Sequence, residues 1–229
     1  MRDEENLPDR LNDSTLHPLF LISQPSVAAI LLAAGRSRRM GAFKPLLPFG
    51  EKTVIETCID NLRNAGVETI VVVVGHRAAE VHERLAHLPL RFAVNEDAES
   101  EMGVSIARGA EQLPDEIESI FIALVDHPAV EPEVISFLLS ERKRAGARLV
   151  VPAYKGRGGH PVLLDAGFRE KLKHLDPERG LRLLFEAHRE EVLRVPVASP
   201  YVARDMDTWE DYCALYHELF GTEPPDVQS

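Results

Sequence analysis

The sequence predicts an α/β fold in which a mostly parallel sheet lies between two layers of helix. Three observations carry that prediction. Short, nearly all-apolar runs of strand length recur at Val27–Leu32, Thr69–Val74 and Ser119–Val125, as strands buried on both faces require. Stretches with apolar residues at helical spacing separate them. The strand–helix alternation then implies parallel neighbours, because a parallel pair needs a crossover long enough to hold a helix.

In chain order, Val27–Leu32 is the first expected strand. Thr53–Ala65 follows as a helix with Val54, Ile55, Cys58, Ile59 and Leu62 on one face, stopped by Gly66. A second strand covers Thr69–Val74, with a helix around Ala78–Leu88. Leu90–Val94 is a third strand, Gly103–Gln112 a helix and Ser119–Val125 a fourth strand. Beyond Pro132 a helix runs to about Ala145. Strands near Arg148–Ala153 and Pro161–Leu164 come next, then helical pieces at Phe168–His174 and Gly180–Arg189. A strand at Glu191–Val197 and a last helix from Thr208 to Phe220 complete the order. Residues 1–25 are expected to be a poorly ordered extension, 26–220 one folded domain and 221–229 a frayed tail. The Leu19–Ile22 patch is open between docking on the body, meeting a partner and having no role.

Bulk properties narrow the function. A chain of 229 residues can bury a proper core. Its formal charge of −11 argues against a nucleic-acid-binding surface and against attraction to anionic lipid. Two cysteines, Cys58 and Cys213, are too few for a disulfide framework or a metal cluster and are expected in the core. No apolar run approaches the length of a membrane span. Met1–Thr15 carries five acids and no secretory h-region, so cytoplasm is the expectation.

Against that acidic background one basic segment stands out, Ala29–Gly50, AILLAAGRSRRMGAFKPLLPFG. An apolar strand ends in small residues, Ala33, Ala34 and Gly35, which let backbone approach a phosphate. Arg36, Arg38, Arg39 and Lys44 follow with no acid among them. Such a loop suits a polyphosphate and points to an enzyme acting on a nucleotide. It is not a Walker loop: five residues separate Gly35 from Gly41, and Lys44 precedes a proline. The dinucleotide pattern G-x-G-x-x-G is absent too.

Four further places are candidates. Asp126 ends the Ile120–Val125 run, where α/β sheets bind ligands, and reads either as a cation ligand or as a turn residue. Asp205 and Asp207 precede the last helix and read equally as helix-start acids. Gly156–Leu164 holds glycines that either admit a ligand or simply turn the chain; His160 within it is open between ligand donor and structural residue. Asn95, Gly103 and Ser105 in NEDAESEMGVS, and Gly75 ending the second strand, read either as nucleotide contacts or as caps and turns.

The basic segment closely resembles the signature L-A-A-G-x-S-x-R-M-G-x-x-K-x-L-L-P of the MobA-like nucleotidyltransferases, and within them the molybdenum cofactor cytidylyltransferase (MocA) branch. Guanylyltransferases tend to read L-A-G-G, whereas here Ala34 precedes Gly35. The likeness runs from about Val27 to about Leu219. It covers Asp126-His127-Pro128, where the family usually has Asp-Gln-Pro, and Asp205-Met206-Asp207-Thr208-Trp209-Glu210-Asp211, with Trp209 replacing proline. It also covers Gly159-His160-Pro161-Val162, beside the family's acceptor pocket, and Asn95–Ser105, with Glu101-Met102-Gly103 where Gly-Met is usual.

That resemblance implies a three-layer α/β/α Rossmann-like nucleotidyltransferase fold, akin to the glycosyltransferase A class. It implies Mg²⁺, with Mn²⁺ as substitute, on Asp126 and on Asp207, with Asp205 in reserve. Lys44 and Arg39 are implied to stabilise phosphoryl charge. Leu32, Ala33, Ala34, Gly35, Arg36, Ser37, Gly75, Asn95, Gly103 and Ser105 are implied to contact nucleotide, and Gly159 and His160 the acceptor. CTP and the molybdenum cofactor are the implied substrates, with a molybdenum hydroxylase as transient partner. Competing expectations are a guanylyltransferase, a sugar- or polyol-phosphate nucleotidyltransferase, a silent nucleotide-binding chaperone of a molybdoenzyme, and a purely structural domain.

Overall fold

The structure, a computed structural model, describes residues 26–97 and 100–226. The Leu19–Ile22 patch lies outside the described residues. The elements are β1 (Val27–Leu32), β2 (Pro48–Phe49), β3 (Lys52–Thr53), α1 (Val54–Asn64), β4 (Thr69–Val74), α2 (Ala78–Leu85), β5 (Arg91–Val94), α3 (Met102–Glu111), β6 (Ser119–Leu124) and α4 (Pro132–Ala145). β7 (Leu149–Tyr154), β8 (Arg157–Gly158), β9 (Val162–Asp165), α5 (Arg169–Lys173), α6 (Gly180–Ala187), β10 (Val192–Pro196) and α7 (Trp209–Phe220) follow.

Among the described residues the main sheet has the order β10-β7-β9-β6-β1-β4-β5, with β8 on β7. β1 lies in its interior, parallel to β4 and β6. Successive residues of β1 feed opposite cores, as a strand of period two must. Ala29 and Leu31 join Ile55, Ile59, Leu138 and Leu215 from α1, α4 and α7. Ala28, Ile30 and Leu32 join Ile106, Leu172 and Leu184 from α3, α5 and α6. This is the expected three-layer arrangement.

The sheet is mixed, with the short β8 antiparallel to β7. β9 runs antiparallel to both β6 and β7. Residues 155–161 are too few to hold a crossover helix, so the chain returns as a hairpin-like turn. That return brings Gly159 and His160 to the same edge as the carboxyl ends of the parallel strands.

Two helices carry reciprocal N-terminal caps. Thr53 accepts from Glu56 N while the Glu56 carboxylate receives Thr53 N, at 2.8 Å. Thr208 and Asp211 repeat the device at α7, with Thr208 N to Asp211 Oδ2 at 2.8 Å. Each cap satisfies donors that a first helical turn otherwise leaves open. The second fixes the chain immediately after Asp207. Thr208→Ala should therefore cost about 1 kcal/mol of stability in denaturant unfolding. An unchanged midpoint would show that the cap does not hold α7.

Candidate active site

The loop after β1 builds one wall of a cleft of about 330 Å³ beyond the carboxyl ends of β1 and β6. Ala33 N donates to Val73 O at 2.9 Å, so the loop leaves the sheet only after Ala33. Beside it Gly75 is tightly enclosed: a Cβ there would lie 2.9 Å from Ala34 O and 3.1 Å from Asn95 O. Only glycine lets these three segments converge. Ser37, at φ +51°, turns the loop back, and its Oγ accepts from Lys44 N at 3.2 Å. Lys44 then opens a short 3-10 turn, Lys44–Leu46, with its side chain only 8% exposed.

Lys44 is the hub of the site. Its Nζ lies 3.1 Å from Asp207 Oδ1 and 3.7 Å from Asp126 Oδ2. Arg39, 74% exposed at the mouth, reaches the other Asp207 oxygen at 2.7 Å. Main chain secures the two acids to each other, since Met206 N donates to Asp126 O at 3.0 Å. Burial alone would push the Asp207 carboxyl up. The hydrogen bond and charge of Lys44, joined by Arg39, hold it below the usual carboxylate range instead.

The acids suit a divalent cation on an observation of their own. Asp126 Oδ1 is buried and has no hydrogen-bond partner among the described residues, an arrangement that is costly for a carboxylate oxygen. Two carboxylates already converge on one cationic atom. Among the described residues no group of three or more His, Cys, Asp or Glu side chains could hold a metal. A two-carboxylate site that borrows phosphate oxygens is the Mg²⁺ pattern.

The opposite wall comes from Asn95, Asp97, Ser100, Met102 and Ser105. Asn95 Nδ2 donates to Ser100 Oγ and Ser105 Oγ, both at 2.8 Å, while its Oδ1 accepts from Asp97 N at 3.2 Å. Its side chain braces the wall from within. The cleft thus gathers Leu32, Ala34, Gly35, Ser37, Arg39, Lys44, Asn95, Ser105, Asp126 and Asp207 of the expected residues. It also includes Arg38, one of the loop cations singled out by charge, and adds Asp97, Ser100, Met102, Leu124 and Val125, which lie in the same motifs and carried no separate signal.

Other expected residues stand elsewhere. Ala33 is buried beneath the loop, and Arg36 lines an adjoining groove with His76 and Trp209. Asp205 is exposed and does not line the cleft. Gly103 faces away, since a Cβ there would lie 2.8 Å from Asp176 O. Gly159 is pressed against Val202, whose carbonyl would sit 1.9 Å from an added Cβ. His160 N donates to that same carbonyl at 2.8 Å. His160 lines a separate groove with Phe185 and Arg194 on the α6 side of the sheet. Its Nδ1 is buried without a partner among the described residues, and its ring lies 5.6 Å from that of His127. His127 itself is fixed by Nδ1 donating to Tyr201 O at 3.1 Å.

The sequence profile of the MobA-like NTP transferase domain matches residues 29–192. The chain belongs to this family. Nicotine blue oxidoreductase of Paenarthrobacter nicotinovorans is 30% identical to this MobA-like chain over 200 residues, 83% of the chain and 97% of that protein. Molybdenum cofactor cytidylyltransferase of Escherichia coli K12 is 28% identical over 141 residues, 61% of the chain and 70% of that protein. The bifunctional protein GlmU of Picosynechococcus is 34% identical over 52% of the chain, which spans only 27% of its length.

Among solved structures, Rv0371c of Mycobacterium tuberculosis superposes with a TM-score of 0.73 at 28% identity, over 86% of the chain and 100% of that protein. A nucleotidyl transferase of Methanothermobacter gives 0.73 at 25%, over 86% and 99%. Rv0371c in complex with manganese gives 0.69 at 26%, over 84% and 98%. Family and fold are thus as the signature implied. No helix of the described residues is long and apolar enough to cross a membrane.

Burial, and then the neighbouring His127, lower the His160 pKa to about 4, against weaker opposing effects of an Ile122 backbone hydrogen bond and Asp126. The unfolded chain therefore binds a proton that the folded chain refuses. The stability this neutral ring contributes is complete above its unfolded value near 6.5 and is lost as pH falls toward about 4. His160→Gln should flatten the pH dependence of unfolding between pH 6.5 and 4 by about one proton. An unchanged slope would contradict a buried neutral imidazole.

Proposed function

We propose that this chain transfers the cytidylyl group of CTP to the terminal phosphate of the molybdenum cofactor and releases pyrophosphate. The observation that carries the proposal is the buried Lys44 held between Asp126 and Asp207, with Arg39 at the mouth. This gathers cations and metal-capable acids where α/β sheets bind ligands. Family membership supports nucleotidyl transfer. The likeness to the E. coli cytidylyltransferase supports the choice of CTP and cofactor.

The attacking phosphate is already ionised at neutral pH, so the chain need not supply a strong general base. Its contribution is positioning and charge neutralisation. In this reading Lys44 and Arg39 take up charge on the α-phosphoryl group and on the departing pyrophosphate. Backbone of Leu32–Gly35 holds base and ribose, and the Asn95–Ser105 brace keeps the facing wall in place. Asp126 and Asp207 would hold Mg²⁺ or Mn²⁺, which when bound neutralises phosphate oxygens. Asp207 is preferred to Asp205 because it lines the cleft. Gly159 shapes the β8–β9 loop that carries His160, which we keep on the acceptor side. The product would pass to a molybdenum hydroxylase.

A second reading, oxidoreduction, is favoured by the near full-length likeness to nicotine blue oxidoreductase. One panel separates the two. Pyrophosphate release is measured from CTP, GTP, ATP and UTP with Mg²⁺, with and without isolated molybdenum cofactor. Oxidation of NADH or NADPH by a quinonoid dye is followed in parallel. Release with CTP and cofactor alone is the expected result. Release with GTP would move the activity to guanylyl transfer. Silence with all four beside dye reduction would replace transfer by redox chemistry. Lys44→Ala and Asp126→Asn should each lower turnover on the order of a hundredfold or more, as loss of an electrostatic stabiliser does. Near-normal turnover in either would contradict the assigned roles.

A further inference from the structure

We infer that the Lys44 ammonium and the divalent cation are alternative occupants of one carboxylate pair. Free metal then binds poorly until phosphate draws Lys44 away. The inference rests on the metal role proposed for Asp126 and Asp207 and adds an order to the assembly of the site.

Geometry carries it. Lys44 Nζ is within 3.1 Å of Asp207 Oδ1 and 3.7 Å of Asp126 Oδ2, so it stands between the two carboxylates that would hold a cation. An ammonium and a divalent ion between the same carboxylates repel each other strongly in so enclosed a place. The main chain at Lys44 cannot retreat. Its N–H is held by Ser37 Oγ at 3.2 Å, and its carbonyl accepts from Leu47 N at 3.2 Å.

Only the side chain can move, and it lines the cleft where a polyphosphate would lie. A phosphate oxygen there offers the ammonium a new partner and leaves both carboxylates to the metal. Arg39 differs. It touches only the outer oxygen of Asp207, is 74% exposed, and can swing out at little cost. Coupling of this kind is reciprocal: metal that displaces Lys44 also makes it available to phosphate.

The test uses Mn²⁺ alone, without nucleotide, followed by electron paramagnetic resonance of the free ion. Lys44→Met keeps the buried stem and removes the charge. It should bind Mn²⁺ about tenfold or more tightly than the wild type, within the range usual for coupled sites. Adding Asp126→Asn should abolish the gain. Lys44→Met should also melt at lower temperature, because Asp126 then loses the ammonium beside it and Asp207 keeps only the exposed Arg39, and Mn²⁺ should restore its melting point. Lys44→Gln serves as a second, polar replacement should the methionine variant not fold.

Equal Mn²⁺ affinity in wild type and both Lys44 variants would overturn the competition. If Asp126→Asn still weakened Mn²⁺ binding by the wild type, the metal site itself would stand and only the exchange would fall. If that substitution changed nothing either, the metal assignment would fall with it.

Discussion

One ammonium group ties together three remote parts of the chain. Lys44 belongs to the loop after the first strand, Asp126 to the end of β6 and Asp207 to the turn before α7, yet they meet within 3.7 Å. A lysine this enclosed is tolerated because both acids compensate it, and the acids because it compensates them. Removing Lys44 takes the ammonium from beside Asp126 and leaves Asp207 with only the exposed Arg39. The cleft's electrostatics therefore depend on this contact.

The fold makes that contact repeatable by fixing main chain rather than side chains. β1 lies between β4 and β6, so its end is held from both sides. The Met206–Asp126 backbone bond sets the final turn against the strand end, and the Thr208 cap holds the first turn of α7. Gly75 lets the basic loop, the end of β4 and Asn95 pack without intervening side chains. Charge-bearing tips then stand on a rigid rim, the arrangement electrostatic preorganisation requires.

Most of this frame was legible in the sequence because its signals are local. Apolar runs located β1, β4 and β6 to within a residue or so, and apolar periodicity located α1, α4 and α7. The basic loop stood out by charge against an acidic chain, and Asp126 as an acid ending an apolar run. What stayed illegible depends on distance. Nothing in residues 95–105 reveals that Asn95 spends its amide on Ser100 and Ser105. Asp205 and Asp207 are indistinguishable as neighbours in a string; the buried Met206 between them turns one to solvent and the other to the cleft. The antiparallel insertion of β9 follows from a short connection, but its place between β6 and β7 is a tertiary fact. Gly103 and Gly159, readable as ligand contacts, are close-packing positions against backbone, which no local signal reveals.

His127 and His160 form a second polar layer beneath Asp126, neutral in the case of His160 and fixed by main chain in the case of His127. His127 Nε2 lies 3.7 Å from Asp126 Oδ1. The most direct test of Lys44 and its two acids as the nucleotide site is a crystal structure of the protein with Mg²⁺ and a non-hydrolysable CTP analogue. Triphosphate oxygens on Lys44 and Arg39, with the ion on Asp126 and Asp207, is the result predicted. Nucleotide bound in the groove beside His160 and Phe185, with Lys44 still bridging the two acids, would contradict it.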